Sequence, residues 1–260
     1  MSRIIAIANQ KGGVGKTTTG VNLAASLAAT RRNVLLVDLD PQGNATMGSG
    51  IDKQQLEISS YDLLMGDKTA AEVMVKSPEG HYDLIPTNSD LIGAEVALLE
   101  ERARETRLRM ALDTVGAEYD FIFIDCPPSL NMLTVNSLVA ANSVIIPMQC
   151  EYYALEGLTA LLETIDKIRE YLNPELQIEG LLRTMYDPRN NLSTQVSAQL
   201  IDHFGEKVYR TIIPRNVRLA EAPSHGLSAL AYDKTSSGAV AYLALAGEML
   251  RREGLAASSL

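Results

Sequence analysis

The chain has 260 residues, of which 46% are hydrophobic, so it is long enough to bury one sizeable core. Its 23 basic and 32 acidic residues give a net charge of −9, the wrong sign for a simple DNA-binding protein. Two cysteines are too few for a disulfide framework or a zinc site, and no apolar stretch approaches the length of a membrane span. The apolar run at 4–8 is too short for the core of a signal peptide.

Short apolar segments alternate with helix-length segments along the chain. This alternation is typical of parallel sheets, so we predict an α/β fold with a mostly parallel central sheet and helices on both faces, in a single domain, residues 1–260. The irregular segment 49–80 is expected to form a small insertion of short helices. Predicted strands are 3–8, 33–38, 82–86, 120–125, 143–148, 177–184 and 208–213, and predicted helices include 16–30, 88–114, 131–141, 154–171, 192–204 and 235–252.

A glycine-rich loop follows the first predicted strand. Residues 11–18 read Lys-Gly-Gly-Val-Gly-Lys-Thr-Thr, and a helix is predicted to begin near Lys16. Backbone N–H groups in such a loop hold phosphate oxygens, and the helix dipole adds partial positive charge. The ordinary pattern has a glycine five residues before Gly15, where this chain has Gln10. The ordinary loop also has one lysine, whereas this one has both Lys11 and Lys16, which suggests a nucleotide site completed by another subunit.

Each polar residue of the loop has an expected task. Lys16 would reach the β- and γ-phosphates, and the Thr17 hydroxyl would bind Mg²⁺. The glycines would let the backbone approach the phosphates closely. The loop residues predicted to bind ATP are Lys11, Gly12, Gly13, Val14, Gly15, Lys16, Thr17 and Thr18.

Three aspartates lie at or just after the ends of predicted strands. Asp38 could hold the hydration shell of a metal, or it could cap a neighbouring backbone as a structural residue. Asp40 begins a loop rich in proline and glycine, where a mobile switch would lie, so a functional role is favoured. Asp125 directly follows the apolar run 121–124, which is predicted to be a buried strand. In phosphate-loop nucleotidases a carboxylate at such a strand end holds Mg²⁺ through water. Cys126 and Cys150 are expected to be small buried apolar residues.

These segments resemble the ParA/Soj family of partition ATPases, which belongs to the deviant Walker A group together with MinD and the nitrogenase iron protein. The resemblance is carried by residues 11–18, 38–44 and 124–129. It continues through 136–141, 151–157, 184–189 and 213–218. The chain begins almost directly at the first strand, so it is similar to the short chromosomal type that lacks an N-terminal helix-turn-helix domain.

The resemblance implies a homodimer in the ATP state and a set of residue roles. Lys11 would reach across the dimer to the partner's nucleotide and stabilise charge during phosphoryl transfer. Asp40 would orient the attacking water. The implied catalytic residues are Lys11, Lys16 and Asp40, the implied Mg²⁺ ligands are Thr17, Asp40 and Asp125, and the residues implied near the adenine are Met185, Pro214 and Asn216.

DNA binding needs a local positive surface, because phosphate contacts supply most non-specific affinity. Residues 176–220 contain six basic and four acidic residues. In the resembled family, arginines matching Arg189 and Arg218 carry non-specific DNA binding, and Arg183 and Arg215 are further candidates. The implied partners are non-specific double-stranded DNA and a ParB/Spo0J-type centromere-binding protein that accelerates slow basal hydrolysis. The implied location is the cytoplasm, on the nucleoid, without membrane insertion.

Three alternative functions are compatible with a phosphate loop. A MinD-like membrane-associated positioning ATPase needs a basic amphipathic helix, but residues 248–260 carry two arginines, two glutamates and a small polar tail. A ligase or synthetase needs a second pocket for a small acid or amide donor, and the sequence offers no nucleophile or basic cluster suited to it. A nucleotide-gated scaffold without catalysis is disfavoured by Lys16, Asp40 and Asp125.

Overall fold

Eight strands form one sheet in this computed structural model, which describes residues 2–152, 154–252 and 254. All neighbouring strands are parallel except β3 and β4, so the predicted α/β fold with a mostly parallel sheet is confirmed. The short edge strand β3 is not predicted by the sequence pattern. The strands are β1 (Arg3–Ile7), β2 (Val34–Asp38), β3 (Val75–Lys76), β4 (Asp83–Ile85), β5 (Phe121–Asp125), β6 (Ser143–Gln149), β7 (Gln177–Tyr186) and β8 (Val208–Pro214), in the spatial order β3-β4-β2-β5-β1-β6-β7-β8.

Twelve α-helices lie within the described residues. They are α1 (Lys16–Ala28), α2 (Asn44–Gly48), α3 (Ser60–Met65), α4 (Ala70–Val73), α5 (Leu91–Glu100), α6 (Arg107–Asp113), α7 (Met132–Ala140), α8 (Ala154–Tyr171), α9 (Asn191–Phe204), α10 (Val217–Glu221), α11 (Ala229–Tyr232) and α12 (Ser237–Arg252). Short 3₁₀ turns lie at Lys53–Gln55, Gly116–Glu118, Gly205–Lys207 and Ala222–His225. No helix in this part of the chain is both long and apolar enough to cross a membrane.

The predicted helix 88–114 is wrong, because the structure divides it into α5 and α6. Ala103 adopts a left-handed φ of 53° between them, a conformation that interrupts a right-handed helix. The break is held by a distant side chain, since Asn136 Nδ2 donates to the carbonyl of Arg104 at 2.8 Å. Short helices in 49–80 are confirmed, and both α3 and α4 begin with a capping box.

The central strands β1, β2, β5 and β6 are buried on both faces, which explains their continuous apolar runs. In β1, Ile4 and Ala6 point into one core, whereas Ile5 and Ile7 point into the other. The first core is completed mainly by α5 to α9, and the second mainly by α1 and α12. Two cores on opposite faces hold the sheet rigidly, so the carboxyl ends of β1, β2 and β5 keep a constant relative position.

The register of the central strands brings the predicted site together. Asp125 at the end of β5 is paired with Ile7 of β1 on one side and with Asp38 of β2 on the other. The glycine-rich loop leaves β1 at this same level. One edge of the sheet therefore carries the loop and all three candidate aspartates, as expected for a ligand site in an open α/β sheet.

Candidate functional site

The glycine-rich loop connects β1 to α1 and presents its tip to solvent. Lys11, Gly12 and Gly13 are exposed, whereas Val14 is buried. Gly15 is the N-cap of α1 with a φ of 89°, a left-handed conformation that favours glycine. A glycine N-cap has no side chain to accept the N–H groups of the first helical turn, so these donors remain available to an anion.

Lys16 is the first residue of α1 and is 6% exposed. Its Nζ donates to the carbonyl of Lys11 at 3.3 Å, so the side chain folds back over the loop. Burial lowers the pKa of Lys16, while the charges of Asp125 and Asp40 act in the opposite direction. A desolvated ammonium at a helix N-terminus interacts strongly with a phosphate. Thr17 and Thr18 follow on α1 and are half-buried.

Asp38 is fully buried and bound by the chain itself. Its Oδ2 accepts from both the backbone N and the hydroxyl of Thr46 at 2.7 Å, and its Oδ1 accepts from the backbone N of Asp40 at 3.2 Å. The role as a cap for neighbouring backbone is therefore confirmed for Asp38. These bonds hold Asp40, which is 8% exposed and accepts from the backbone N of Gln42 at 3.0 Å.

Asp125 is the residue that most needs an external partner. It is fully buried, and neither of its carboxylate oxygens has a hydrogen-bond partner of normal geometry among the described residues. Burial and the nearby charge of Asp38 raise the pKa of Asp125, and the Thr17 hydroxyl is close enough to act in the opposite direction. Orphaned carboxylate oxygens beside a hydroxyl are suitable ligands for Mg²⁺.

A metal at this position would need ligands beyond the protein. No group of three His, Cys, Asp or Glu side chains in the described ranges is arranged to hold a metal ion. Mg²⁺ usually retains waters and binds one or two carboxylates together with substrate phosphates. The donor set of Thr17 and Asp125, with Asp40 nearby, fits a Mg²⁺ ion that arrives with a nucleotide.

The residues predicted near the adenine lie at the ends of neighbouring strands. Met185 near the end of β7 has a left-handed φ of 48°, and its Cε would lie 3.8 Å from a Cβ placed on Gly15. Pro214 ends β8 beside Tyr186. Asn216 is the N-cap of α10, and its Nδ2 donates to Ser237 at 2.8 Å. Its Oδ1 accepts from the backbone N of Leu219 at 3.3 Å, so both polar atoms of the Asn216 amide already have a partner within the fold.

The four candidate DNA-binding arginines do not share one environment. Arg189 is exposed and forms a bidentate ion pair with Asp187, and Arg218 is exposed and pairs with Glu221 and Asp233. Arg215 is also exposed. All three follow the carboxyl ends of β7 and β8.

The prediction of a DNA contact for Arg183 is wrong. Arg183 is only 6% exposed. Its guanidinium donates to the Ser197 hydroxyl at 2.9 Å and to the carbonyls of Tyr209 at 2.8 Å and Arg210 at 3.2 Å. These bonds join β7, α9 and β8. Arg183 is therefore a structural residue within the fold.

Three residues that support the site are absent from the sequence prediction. Asn9 accepts from the backbone N of Lys11 at 2.9 Å and donates to the carbonyl of Pro147 at 2.7 Å. Thr46 holds Asp38, and Thr184 donates to the carbonyl of Val14 at 2.7 Å. Asn9 directly follows the apolar run 4–8, which is a local signal, whereas Thr184 acts on a loop 170 residues away in sequence.

The two cysteines are buried and free, as predicted. Burial raises the pKa of Cys126 to about 12 and that of Cys150 to about 11, so neither is a reactive thiolate at neutral pH.

Several known proteins are similar in sequence to this chain along nearly its whole length. The chain matches the AAA domain family over residues 2–178. It is 53% identical to the sporulation initiation inhibitor protein Soj of Bacillus subtilis, over 96% of this chain and 98% of that protein. It is 51% identical to the chromosome partitioning protein ParA of Caulobacter vibrioides, over 96% and 95% of the two chains.

The chain belongs to the ParA/Soj family of chromosome-partitioning ATPases. The family resemblance seen in the sequence is thereby confirmed. Among solved structures, a cobyrinic acid a,c-diamide synthase from Mycobacterium smegmatis with a bound ATP analog and magnesium is 39% identical, with a TM-score of 0.86 over 98% of this chain and 96% of that one. The two partition proteins are thus more similar in sequence to this chain than the synthase is.

Proposed function

We propose that the chain hydrolyses ATP with Mg²⁺ and that its ATP-bound dimer binds DNA without sequence preference. The observation that carries this proposal is the convergence of Lys16, Asp40 and Asp125 at the loop, where the carboxylate oxygens of Asp125 have no hydrogen-bond partner of normal geometry among the described residues. Membership of the ParA/Soj family supports the partition function.

The phosphates of ATP would lie on the N–H groups of the loop and the first turn of α1. Lys16 would bind the β- and γ-phosphates, and Thr17 and Asp125 would hold Mg²⁺, which supplies charge neutralisation during phosphoryl transfer. Asp40 would orient the attacking water, since Asp38 already holds its backbone in place. Met185, Pro214 and Asn216 would lie near the adenine.

A second copy of the chain would complete the site. Lys11 lies on the exposed tip of the loop, from which a long side chain can reach a neighbouring subunit. A lysine supplied in this way stabilises the charge that develops on the transferred phosphoryl group, as an arginine finger does. Hydrolysis would separate the dimer, and a ParB/Spo0J-type partner would accelerate this step.

Arg189, Arg215 and Arg218 would contact the phosphate backbone of DNA. Dimerisation doubles the number of contacts, so ATP controls DNA affinity without any change within one subunit. Binding of this kind would place the protein on the nucleoid in the cytoplasm.

The test is binding of the purified protein to random-sequence duplex DNA with ATP, with ADP and without nucleotide, at two salt concentrations. We expect binding only with ATP, weakened by salt. Lys16→Ala should abolish ATP binding, and Asp40→Ala should still dimerise with ATP but not hydrolyse it. The double variant Arg189→Glu, Arg218→Glu should dimerise but lose DNA binding.

Absence of DNA binding in every nucleotide state, with ATP still hydrolysed, would contradict the partition function. Co-sedimentation with liposomes would then test the MinD-like alternative. The end of α12 argues against that alternative, because Arg252 bonds to Glu248 and stacks 4.2 Å from the ring centroid of Tyr209. Residues 253 and 255–260 of the tail lie outside the described residues.

A further inference from the structure

A cleft of about 1080 Å³ runs along the outer edge strand β8, between the end of α9 and the last turns of α12. We call it the edge cleft. Its lining includes Lys207, Arg210 and Arg251. Two strands, β6 and β7, separate β8 from β1 and its glycine-rich loop. The edge cleft contains none of the residues proposed to bind ATP or Mg²⁺, so it needs a separate explanation.

The charges that line the edge cleft are predominantly positive. Five cationic side chains and three carboxylates line the cleft, although the protein as a whole has a net charge of −9. The cations are Arg183, Lys207, Arg210, Arg251 and Arg252, and the carboxylates are Glu179, Glu206 and Glu248.

Two of the three carboxylates are already engaged inside the protein. Glu248 accepts from the backbone N–H groups of Arg210 and Thr211 at 2.8 Å each, and it also pairs with Arg252 at 2.9 Å. Glu179 pairs with Arg3 and accepts from the Ser143 hydroxyl. Only Glu206 is left to balance the remaining cations of the cleft.

Three of the cations are free to bind an external anion. Lys207, Arg210 and Arg251 are exposed, and none of them has a side-chain hydrogen bond or ion pair within the described part of the chain. Among the described residues, the guanidinium of Arg183 donates hydrogen bonds only to neutral groups, so none of their carboxylates is bonded to it. The edge cleft therefore attracts anions although the protein as a whole has a net negative charge.

The backbone of β8 excludes a peptide strand as the occupant. The N–H groups of Arg210 and Thr211 are bound by Glu248, the Val208 carbonyl by Arg252, and the Tyr209 carbonyl by Arg183. The pairing of β8 with β7 is also irregular, with two shifts in register. Bulges and capped backbone groups protect an edge strand from strand addition, so the binding capacity of this edge lies in its side chains.

The arrangement of the free cations favours a polymer with repeated phosphates. Lys207 lies directly before β8, Arg210 lies within β8, and the exposed Arg215 directly follows it. Eight residues of extended chain span roughly 25 Å, which is the length of about seven or eight base pairs of duplex DNA. A duplex that runs along β8 is long enough to reach both the edge cleft and Arg215.

We propose that the edge cleft binds the phosphate backbone of duplex DNA and extends the DNA surface along β8 through Lys207, Arg210 and Arg251. This inference rests on the proposed function. It accounts for non-specific binding by an acidic protein, because the phosphate contacts are gathered where cationic side chains outnumber carboxylates.

The test is the salt dependence of DNA affinity for the ATP-bound full-length protein. The variant Lys207→Gln, Arg210→Gln, Arg251→Gln removes the three free cations without adding negative charge. The matched control Lys76→Gln, Arg102→Gln, Arg109→Gln removes one lysine and two arginines that are exposed elsewhere, Lys76 being on the opposite edge strand β3. Affinity for a random-sequence duplex is measured between about 50 and 200 mM salt.

We expect the slope of log K against log salt to fall by about two to three for each subunit that contacts the DNA in the edge-cleft variant, since each lost phosphate contact changes it by about 0.9. The affinity should fall on the order of tenfold or more, and the control should keep the slope of the unmodified protein. ATP hydrolysis without DNA and ATP-dependent dimerisation should be unchanged in both variants.

An unchanged slope in the edge-cleft variant, with normal DNA binding by the unmodified protein, would overturn this inference and leave the proposed function intact. An equal loss in the control would also overturn it, because the effect would then reflect total charge. Failure of the unmodified protein to bind DNA with ATP would overturn the proposed function and this inference together.

Discussion

Lys11 and Glu151 form an ion pair at the mouth of the glycine-rich loop, with Nζ 2.6 Å from Oε2. The two side chains are 42% and 51% exposed, so water screens the pair, and exposed pairs of this kind contribute about 0–1 kcal/mol. The ion pair with Glu151 therefore holds Lys11 only weakly within its own subunit. An exchange of Glu151 for the nucleotide phosphates of a second subunit would cost little.

This pair gives the first prediction. Glu151→Gln should release Lys11 and tighten the ATP-dependent dimer by up to about fivefold, the equivalent of about 1 kcal/mol. Sedimentation equilibrium with ATP measures the change. Glu156→Gln, at another exposed acidic residue near the start of α8, should have no effect. A weaker dimer in Glu151→Gln would instead indicate that the carboxylate contributes to the dimer interface.

Gly12 provides a test of close approach between subunits. It is exposed, and a Cβ placed on it would meet no atom within 4 Å, so a larger side chain fits the isolated subunit. We expect Gly12→Val to fold and bind ATP normally, yet to lose the ATP-dependent dimer, because the valine would lie beside Lys11 between the two subunits. Gel filtration with ATP and an ATP-binding titration separate the two effects. A dimer of normal affinity would show that this face is not the contact.

The pair Asp38 and Asp125 predicts a pH dependence of stability. Burial raises the pKa of Asp38 from 3.8 to about 7, and burial together with the charge of Asp38 raises the pKa of Asp125. Protons therefore bind the folded state more tightly than the unfolded state. The resulting stability is complete below the unfolded pKa and is lost as the pH rises through the folded pKa.

The melting temperature of the protein without Mg²⁺ and nucleotide should accordingly fall between about pH 5 and pH 8. Each 1 kcal/mol corresponds to roughly 2–4 °C for a chain of this size. Asp125→Asn should reduce this dependence and raise the melting temperature at the higher pH, while weakening Mg²⁺-dependent ATP binding. Differential scanning calorimetry at both pH values measures the first effect. A steeper dependence in the variant would contradict the assignment of the buried charge.

A glycine contact joins the segment after Asp40 to the segment after Arg218. A Cβ on Gly226 would lie 2.8 Å from the Cα of Gly50, and backbone cannot yield as a side chain can. Gly226→Ala should destabilise the protein by about 2–3 kcal/mol, through overpacking and strain at its φ of 66°. Chemical denaturation measures this loss.

Gly66→Ala is the matched control for that glycine. Gly66 is also a left-handed C-cap, with a φ of 83°, but its added Cβ would meet only the flexible tip of Arg107 at 3.0 Å. The loss of stability in Gly66→Ala should stay near the roughly 1 kcal/mol expected for the left-handed conformation alone. Equal losses in the two variants would show that the contact with Gly50 adds nothing.

Arg183 and Arg215 should respond oppositely to truncation. Arg183→Ala should cost about 2–4 kcal/mol of stability, because it leaves a cavity and removes the partners of the Ser197 hydroxyl and two carbonyls. Arg215→Ala should leave stability within about 0.5 kcal/mol and weaken DNA binding. Urea unfolding and DNA affinity with ATP distinguish the two. A stable Arg183→Ala protein with lost DNA affinity would return Arg183 to the DNA surface.

Local patterns of this sequence determined the sheet and the phosphate loop. A run such as 121–124 is apolar at every position, which suits a strand buried on both faces, and a glycine-rich turn before a helix forms an anion site from its own backbone. The loop, the strand ends and the family resemblance depend on neighbouring residues, so they can be predicted without a structure. The breadth of the resemblance also identified the partition family.

Only the tertiary structure decided how the charged residues are used. Arg183 and Arg215 both lie at or beside strands, yet one is buried by β8 and α9 and the other is exposed. Lys11 meets a partner 140 residues away, and the break between α5 and α6 is held by Asn136. These outcomes depend on which elements pack together, because burial and ion pairing are set by contacts between distant segments, which no local pattern contains.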